Sequence, residues 1–323
     1  MLLSDKGSDG MQTVPLGKTG VRVSVFCLGT MYFGTRTDWE TSWQILDHYV
    51  EQGGFFLDTA NIYARWVPGF RGGESETLLG AWMKERGNRQ KIFLATKVGF
   101  EMPGVERGLR AVQIQAECEK SLRRLQTDYI DLYYAHVDDP HTPLEETLEA
   151  FHCLVQVGKV RFIGASNFRA WRLEECRWVS MTHKWSEYCC IQQRYTYLRP
   201  KPGASFDPQI AANEDLLEYC TARGLTLLAY SPLLGGAYVR PDRPIPPQYH
   251  GPDTEARLRA LRELASKKGI TVNQLVLAWM IHSTPPVIPL VAGSTLAQME
   301  ENYKALEVKL CGEEVEWLNG VSG

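Results

Sequence analysis

Eight times along this chain a short apolar run rich in Val, Ile, Leu and Phe gives way to a longer stretch with helical periodicity, and no break in composition interrupts the rhythm. The strand-like runs are Val25–Leu28, Phe55–Leu57, Ile92–Thr96, Ile130–Tyr134, Val160–Ala165, Cys189–Gln192, Leu225–Ala229 and Val287–Val291. A helix capped by Asp38 carries Trp43, Leu46, Tyr49 and Val50 on one face and stops at Gly53-Gly54. The later helices are expected over Glu74–Glu85, Gln113–Leu125, Leu144–Val157, Trp171–Val179, Glu214–Arg223, Thr254–Lys268, Thr271–His282 and Leu296–Leu306. Such alternation requires parallel strands joined by crossover helices, and eight units over roughly 250 or more residues close into a (β/α)8 TIM barrel. A doubly wound dinucleotide fold is the runner-up, but no Gly-x-Gly-x-x-Gly follows the first strand.

Met11–Ser24 reads as an N-terminal hairpin, with Val14, Leu16, Val21 and Val23 flanking a turn at Gly17-Lys18-Thr19-Gly20. That triplet is no phosphate loop, because position 12, where the earlier glycine belongs, is Gln. Ala64–Gly73, Arg194–Ala212 and the Pro-rich Gly235–Pro252 interrupt the rhythm; each follows a strand, which puts it on the catalytic face of a barrel. Residues 1–10 are expected to be a disordered lead-in and 11–323 a single barrel domain.

The net charge of -3 argues against nucleic-acid binding, and no run of apolar residues is long enough to span a membrane. Cys27, Cys118, Cys153, Cys176, Cys189, Cys190, Cys220 and Cys311 are scattered without a C-x-x-C pair, as free thiols of a reducing cytoplasm would be. No metal site is expected: His136 and His141 stand five apart in a Pro-containing loop, not at the spacing of a helical zinc pair.

Chemistry concentrates at three strand ends. The run Phe55–Leu57 delivers Asp58, with Tyr63 in the loop beyond; later strands deliver Lys97 and His136. Singly, each has a bland reading: Asp58 a helix cap, Tyr63 a packing residue, Lys97 a side chain reaching for water, His136 a satisfied core histidine. Together they suit carbonyl reduction, which needs a proton at oxygen while the developing alkoxide is stabilised. A lysine ammonium about 4 Å from a phenol would favour the phenolate by roughly 4 kcal/mol, or about 3 pK units, and draw Tyr63 towards neutrality. Asp58 would keep Lys97 charged, and His136 would orient the substrate oxygen.

The chain resembles the aldo-keto reductases from Met11 onward. The resemblance is carried by Pro15-Leu16-Gly17-Lys18-Thr19-Gly20, Cys27-Leu28-Gly29-Thr30-Met31, Phe56-Leu57-Asp58-Thr59-Ala60-Asn61-Ile62-Tyr63 and Gly73-Glu74-Ser75-Glu76. It continues through Leu94-Ala95-Thr96-Lys97-Val98-Gly99, Asp128-Tyr129-Ile130-Asp131-Leu132, His136, the stretch from Gly158 to Phe168, Ala229-Tyr230-Ser231-Pro232-Leu233 and Glu301-Asn302. It implies a catalytic tetrad of Asp58, Tyr63, Lys97 and His136 and a nicotinamide dinucleotide bound without a Rossmann motif. Implied cofactor ligands are Gly29, Thr30, Met31 and Asp58, with Ser166, Asn167 and Gln193 on the carboxamide and Tyr230 stacked on the nicotinamide. Ser231, Pro232, Leu233 and Gly235 would meet the pyrophosphate; Gly293, Ser294, Gln298, Glu301 and Asn302 would meet the adenosine end. Many members place Arg or Lys near 294 and 298 to hold the 2′-phosphate. Ser294 and Gln298 leave both NADP and NAD open, with the family's habit tilting towards NADP.

For substrate, Tyr32, Phe33, Arg65, Trp66, Tyr195 and Arg199 are expected at the mouth. An aromatic wall with a cation at its edge suits a carbonyl or alcohol that is a sugar, a glycoside or otherwise polyhydroxylated. Two other functions fit the same fold: a cofactor-binding sensor or channel-associated subunit, and a lyase using Lys97 as a Schiff base. No signal of oligomeric state stands out.

Overall fold

The computed structural model describes residues 10–322, so all but the last residue of the expected lead-in lies outside the described residues. Strands β1 (Thr13–Pro15) and β2 (Arg22–Ser24) form an antiparallel hairpin with Val14 opposite Val23. Strands β3 (Cys27–Gly29), β4 (Phe56–Asp58), β5 (Phe93–Val98), β6 (Ile130–Ala135), β7 (Val160–Ser166), β8 (Tyr188–Arg194), β9 (Thr226–Tyr230) and β10 (Ile288–Val291) are parallel and close in sequence order, β10 pairing with both β9 and β3. The fold is therefore the expected (β/α)8 barrel.

The helices are α1 (Trp39–Glu51), α2 (Glu74–Arg86), α3 (Ala111–Leu125), α4 (Leu144–Gln156), α5 (Ala170–His183), α6 (Glu214–Arg223), α7 (Thr254–Lys268), α8 (Val272–His282), α9 (Leu296–Tyr303) and α10 (Gly312–Gly320). Helix α10 was not expected. It buries only Leu318 and leaves Trp317 exposed, so its sequence carries no apolar stripe to announce it. No helix among the described residues is long and apolar enough to cross a membrane.

The hairpin closes the barrel's N-terminal end. Gly17 sits at a φ of 51°, and a side chain there would run into the Cys189 carbonyl. Its N–H donates to Thr226 Oγ1 at 2.7 Å, and that hydroxyl donates to the Pro15 carbonyl at 3.1 Å, tying the turn to the start of β9. At the other end lie the three interruptions of the rhythm, each in a loop after a strand.

Helix α1 begins where Asp38 accepts a 2.8 Å bond from the Thr41 N–H. Near its end Tyr49, fully buried, brings one hydroxyl to the seam between β3 and β4. That hydroxyl accepts from the Phe56 N–H at 3.1 Å, and the carbonyls of Phe26 and Phe56 lie 2.8 and 3.0 Å away to take its proton. Gly54 is glycine because a Cβ would overlap the Tyr49 ring. Tyr49→Phe leaves buried backbone groups unpaired and should cost about 1–3 kcal/mol. A urea melt shows this as a lower midpoint at unchanged slope; an unaltered midpoint would mean that the hydroxyl is dispensable.

Candidate active site

Asp58 is the last residue of β4, Lys97 lies one residue from the end of β5, and His136 is the first residue after β6. The register pairs Asp58 with Ala95 and Lys97 with Tyr134, so from β4 to β6 each of these side chains stands two residues further along its strand and all three face the same way. The loop after β4 then turns Tyr63 back over the strand ends. Its N–H bonds to Ala60, and the next residue, Ala64, adopts a left-handed φ of 72°. The Asn61 side chain pins the turn by donating to Glu117 at 2.9 Å.

Four of the expected residues therefore meet. Lys97 Nζ donates to Tyr63 Oη at 2.7 Å, to the Thr59 carbonyl at 2.8 Å and to Asp58 Oδ1 in a short ion pair. Lys97 and Asp58 are both completely buried. The phenol stands 3.3 Å from Asp58 Oδ1, and its ring is edge-on to His136 with centroids 6.0 Å apart. Burial pushes the lysine down from its usual value while Asp58 opposes it. Since all three ammonium N–H bonds are committed, the nitrogen has no lone pair to offer a carbonyl.

The phenol departs from expectation. Burial, then the charge of Asp58, push Tyr63 well above the ordinary tyrosine range. The expected pull of Lys97 towards neutrality is outweighed, because a phenolate in this enclosed place would lose its water and face a carboxylate. Tyr63 is thus a protonated phenol whose oxygen already accepts from Lys97. Its own proton lies on a long 3.3 Å bond to Asp58 Oδ1, which a ligand oxygen can replace. Burial and the nearby Lys97 charge hold His136 well below the usual histidine range, so its ring is neutral. Its Nδ1 is buried without a protein partner, and the ring is steadied by the edge of Phe100 at 4.7 Å.

Gln192, absent from the expected set, donates to Asp58 Oδ2 at 2.8 Å. Alternation along β8 explains it: Gln192 faces the barrel interior and its neighbour Gln193 faces away. The Gln193 amide accepts from the Asn167 N–H at 2.6 Å and donates to the Phe168 carbonyl at 2.9 Å, so it braces the β7–α5 loop. Counting the period outward from Asp58's level would have singled out Gln192. Asn167, at a φ of 60°, donates to the His136 carbonyl and to Ser166 Oγ and accepts from Tyr230 Oη at 2.7 Å.

Other expected residues are placed as follows. Thr30 is buried and bonds to the Asp58 carbonyl and Ser75; Gly29 ends β3 beside it, and Met31 is exposed. Trp66 is exposed and edge-on to both Tyr32 and Tyr63 at 6.4 Å, and Arg65 pairs with Glu101 at 2.6 Å across the β4–α2 and β5–α3 loops. Phe33 is in the core, not the mouth. Tyr195 stacks on Trp279, and Arg199 binds Asp253 and the Asn319 carbonyl; both line a cleft that also reaches Asn167 but not the tetrad. Ser231, Leu234, Gly235 and Gly236 all take left-handed φ values, with Pro232 and Leu233 between them. After β10, Gln298 Oε1 accepts from the N–H and the hydroxyl of Ser294; Glu301 accepts from Thr271, and Asn302 donates to Ala292, just before Gly293. No group of three His, Cys, Asp or Glu among the described residues is arranged to hold a metal ion.

A histidine held neutral in the fold and free to protonate when unfolded stabilises the fold fully above about pH 6.5 and progressively less below it. Between pH 7 and 5.5 His136 should therefore cost the wild type about 1 kcal/mol that His136→Gln does not lose. Urea melts of both proteins at the two pH values measure the difference; parallel losses would place a charged imidazole in the fold.

The sequence pattern of the aldo/keto reductase family matches residues 25–322. Norsolorinic acid reductase stcV of Emericella nidulans is 34% identical over 318 residues, covering 92% of this chain and 77% of that one. An uncharacterized oxidoreductase of Bacillus subtilis, YrpG, is 33% identical over 325 residues and 96% of each chain. Among solved structures, the thermostable aldo-keto reductase Tm1743, crystallised with the inhibitor epalrestat, superposes with a TM-score of 0.76 at 30% identity, covering 97% of this chain and 100% of that one. With pattern, relatives and barrel in agreement over nearly the whole chain, this protein belongs to the aldo/keto reductase family of oxidoreductases.

Proposed function

We propose that the chain interconverts a small-molecule carbonyl and its alcohol, with Tyr63 as the proton donor and NADPH or NADH as cofactor. One observation carries the reading: a fully buried lysine with all three N–H bonds committed holds a protonated phenol by its oxygen. The same commitment opposes a Schiff-base lyase, which needs a free amine. Family members act with NAD(P)H, and the residues fit such a group. Consecutive left-handed turns from Ser231 to Gly236 shape a concave run of backbone N–H groups suited to a diphosphate. The N–H groups of Leu234 and Gly236 bond inward, which supports Ser231, Leu233 and Gly235 as the outward donors. Gln192, in place of Gln193, joins Ser166 and Asn167 at the nicotinamide end in this reading, under the half-buried ring of Tyr230.

A reduced nicotinamide bound there would supply the hydride. Lys97 fixes the Tyr63 oxygen and stabilises the phenolate left when its proton moves to the substrate oxygen. Asp58 holds Lys97, and Gln192 holds Asp58. Neutral His136 offers a ring N–H to the same substrate oxygen and so directs it. No cation stands at 294 or 298 to select a 2′-phosphate, so discrimination between NADPH and NADH should be within about tenfold, NADPH ahead.

Tyr63→Phe should lower carbonyl reduction on the order of 10²- to 10⁴-fold with cofactor affinity, read by fluorescence titration, nearly unchanged. Because the folded phenol stays protonated past its ordinary range, reduction should be level from about pH 6 to 8 while alcohol oxidation climbs with pH. Retained activity in the variant would remove Tyr63 from the chemistry.

For substrate, Trp66 beside Tyr63 and Tyr32 supports a compound that offers a flat or C–H-rich face with polar edges, such as a sugar-like carbonyl. The relatives named norsolorinic acid reductases make norsolorinic acid a further compound to try. Trp66→Ala should raise KM about tenfold for such substrates and leave a small aliphatic aldehyde within about twofold. Equal effects on both would count against the wall.

A further inference from the structure

A cleft of about 1550 Å³ does not include the tetrad. It opens beside Asn167 on the catalytic face and runs under the β8–α6 loop. Arg194, the last residue of β8, stands in its wall. The half-buried guanidinium is flanked by Phe206, with the carbon at its centre 4.9 Å from that ring's centroid, and by Tyr230 at 5.6 Å. Its Nε and Nη2 both donate to the neutral Gln209 Oε1. Among the described residues no carboxylate lies within ion-pair distance of it, whereas Arg65, Arg172 and Arg199 near the same face each have one.

A guanidinium taken halfway out of water ordinarily meets an opposite charge. Ring contacts return a part of that cost, a neutral amide another part, and neither supplies a counter-charge. Arg107 and Arg169, exposed on the loops after β5 and β7, line the same end of the cleft, again without a carboxylate partner among the described residues. Asp138, also in the wall, is neutralised by Arg172 at 3.1 Å; Asp207 in the β8–α6 loop and Glu214 and Asp215 in the first turn of α6 line the cleft as well, none of them within ion-pair distance of Arg194. What sets Arg194 apart is therefore its enclosure between two rings without a counter-charge, not the sign of the whole cleft. Arg194 is also near the chemistry: Tyr230 bonds to Asn167, and Asn167 bonds to the His136 carbonyl.

We propose that Arg194 is a specificity residue that receives an anionic group, a carboxylate or phosphate, carried by the carbonyl substrate at the end remote from the reacting carbon. This rests on the carbonyl-reduction reading and narrows its substrate class to anionic carbonyl compounds. The cofactor's own diphosphate is the other source of the same chemistry, and the test separates the two.

The probes are 4-carboxybenzaldehyde and 4-formylcinnamate, each against its methyl ester, with wild type, Arg194→Gln and Arg194→Lys. Binding is measured by calorimetry on protein saturated with oxidised cofactor, where no reduction occurs; turnover is measured separately with reduced cofactor. At least one acid should bind wild type about tenfold or more tighter than its ester. Arg194→Gln should erase that preference with ester binding and cofactor affinity nearly unchanged, Arg194→Lys should keep part of it, and added salt should weaken it. Equal binding of acids and esters by wild type would overturn the proposal. So would a preference that survives Arg194→Gln, or a variant whose loss is in cofactor affinity alone, which would give the anion to the diphosphate. Arg194-dependent binding of an acid without turnover of any probe would uphold the anion site and remove the carbonyl-reduction reading instead.

Discussion

One buried ammonium sets the terms for the open end of this barrel. Lys97 has no exposed surface, and removing such a charge from water costs several kcal/mol even after relaxation. The structure offsets that cost with a carboxylate, a backbone carbonyl and a phenol, one for each N–H. Those three partners come from β4 and the loop just after it, so the strand and the loop are held in one arrangement by a β5 side chain. Loss of any partner would strand a charge, and this rigidity is what the chemistry uses. Tyr63 accepts a bond from a cation and rests its proton on a long 3.3 Å bond to Asp58 Oδ1, the weakest contact of the set and the one a substrate oxygen can take over.

Beneath this level lies a polar layer with every group answered. Ser75 bonds to Thr30 and Thr59, and Glu76, wholly buried, lies between the Thr96 hydroxyl and the Arg124 guanidinium, each 2.6 Å away. Gln192 closes the last oxygen of Asp58. Ser75 and Glu76 sit in the first turn of α2, on the barrel's flank, which explains how the Gly73–Glu76 motif belongs to the site without touching a reactant. A half-satisfied layer of this kind would be worse than an apolar one. The motif's polar residues fix strand ends, and the strand ends fix the tetrad.

The sequence was informative where a period governs. Eight alternations read out the barrel, and strands that end in Asp58, Lys97 and His136 read out the level at which chemistry occurs. Helix α10 escaped because a helix burying one leucine leaves no stripe. Gln192 and Gln193 are identical neighbours that differ only in which face of β8 they occupy, and that depends on register. The tyrosine's protonation was misjudged for another reason: proximity to Lys97 was foreseen, while the depth of burial and the nearness of Asp58 are properties of the assembled barrel. Phe33 follows a strand as Tyr32 does, yet it lies in the core: a position after a strand does not say whether a side chain turns inward, outward or down.

Selectivity among members of one barrel family has to arise above this shared level, and two kinds of residue are available there. Trp66 and the Arg65–Glu101 pair are carried by loops, so their positions follow the loops' own packing. Arg194 is different. It ends a strand, its backbone is bridged to Ala211, and its side chain is held by Gln209 and two aromatic rings. A charge fixed to a strand discriminates better than one on a mobile loop, because little ordering entropy is lost when a ligand meets it. Arg107 and Arg169 are exposed on their loops and share the cleft with Asp207, Glu214 and Asp215, so they set no direction; Arg194 is the group able to orient an anion. The division follows from the fold: loops supply contact surface, and the strand end supplies geometry.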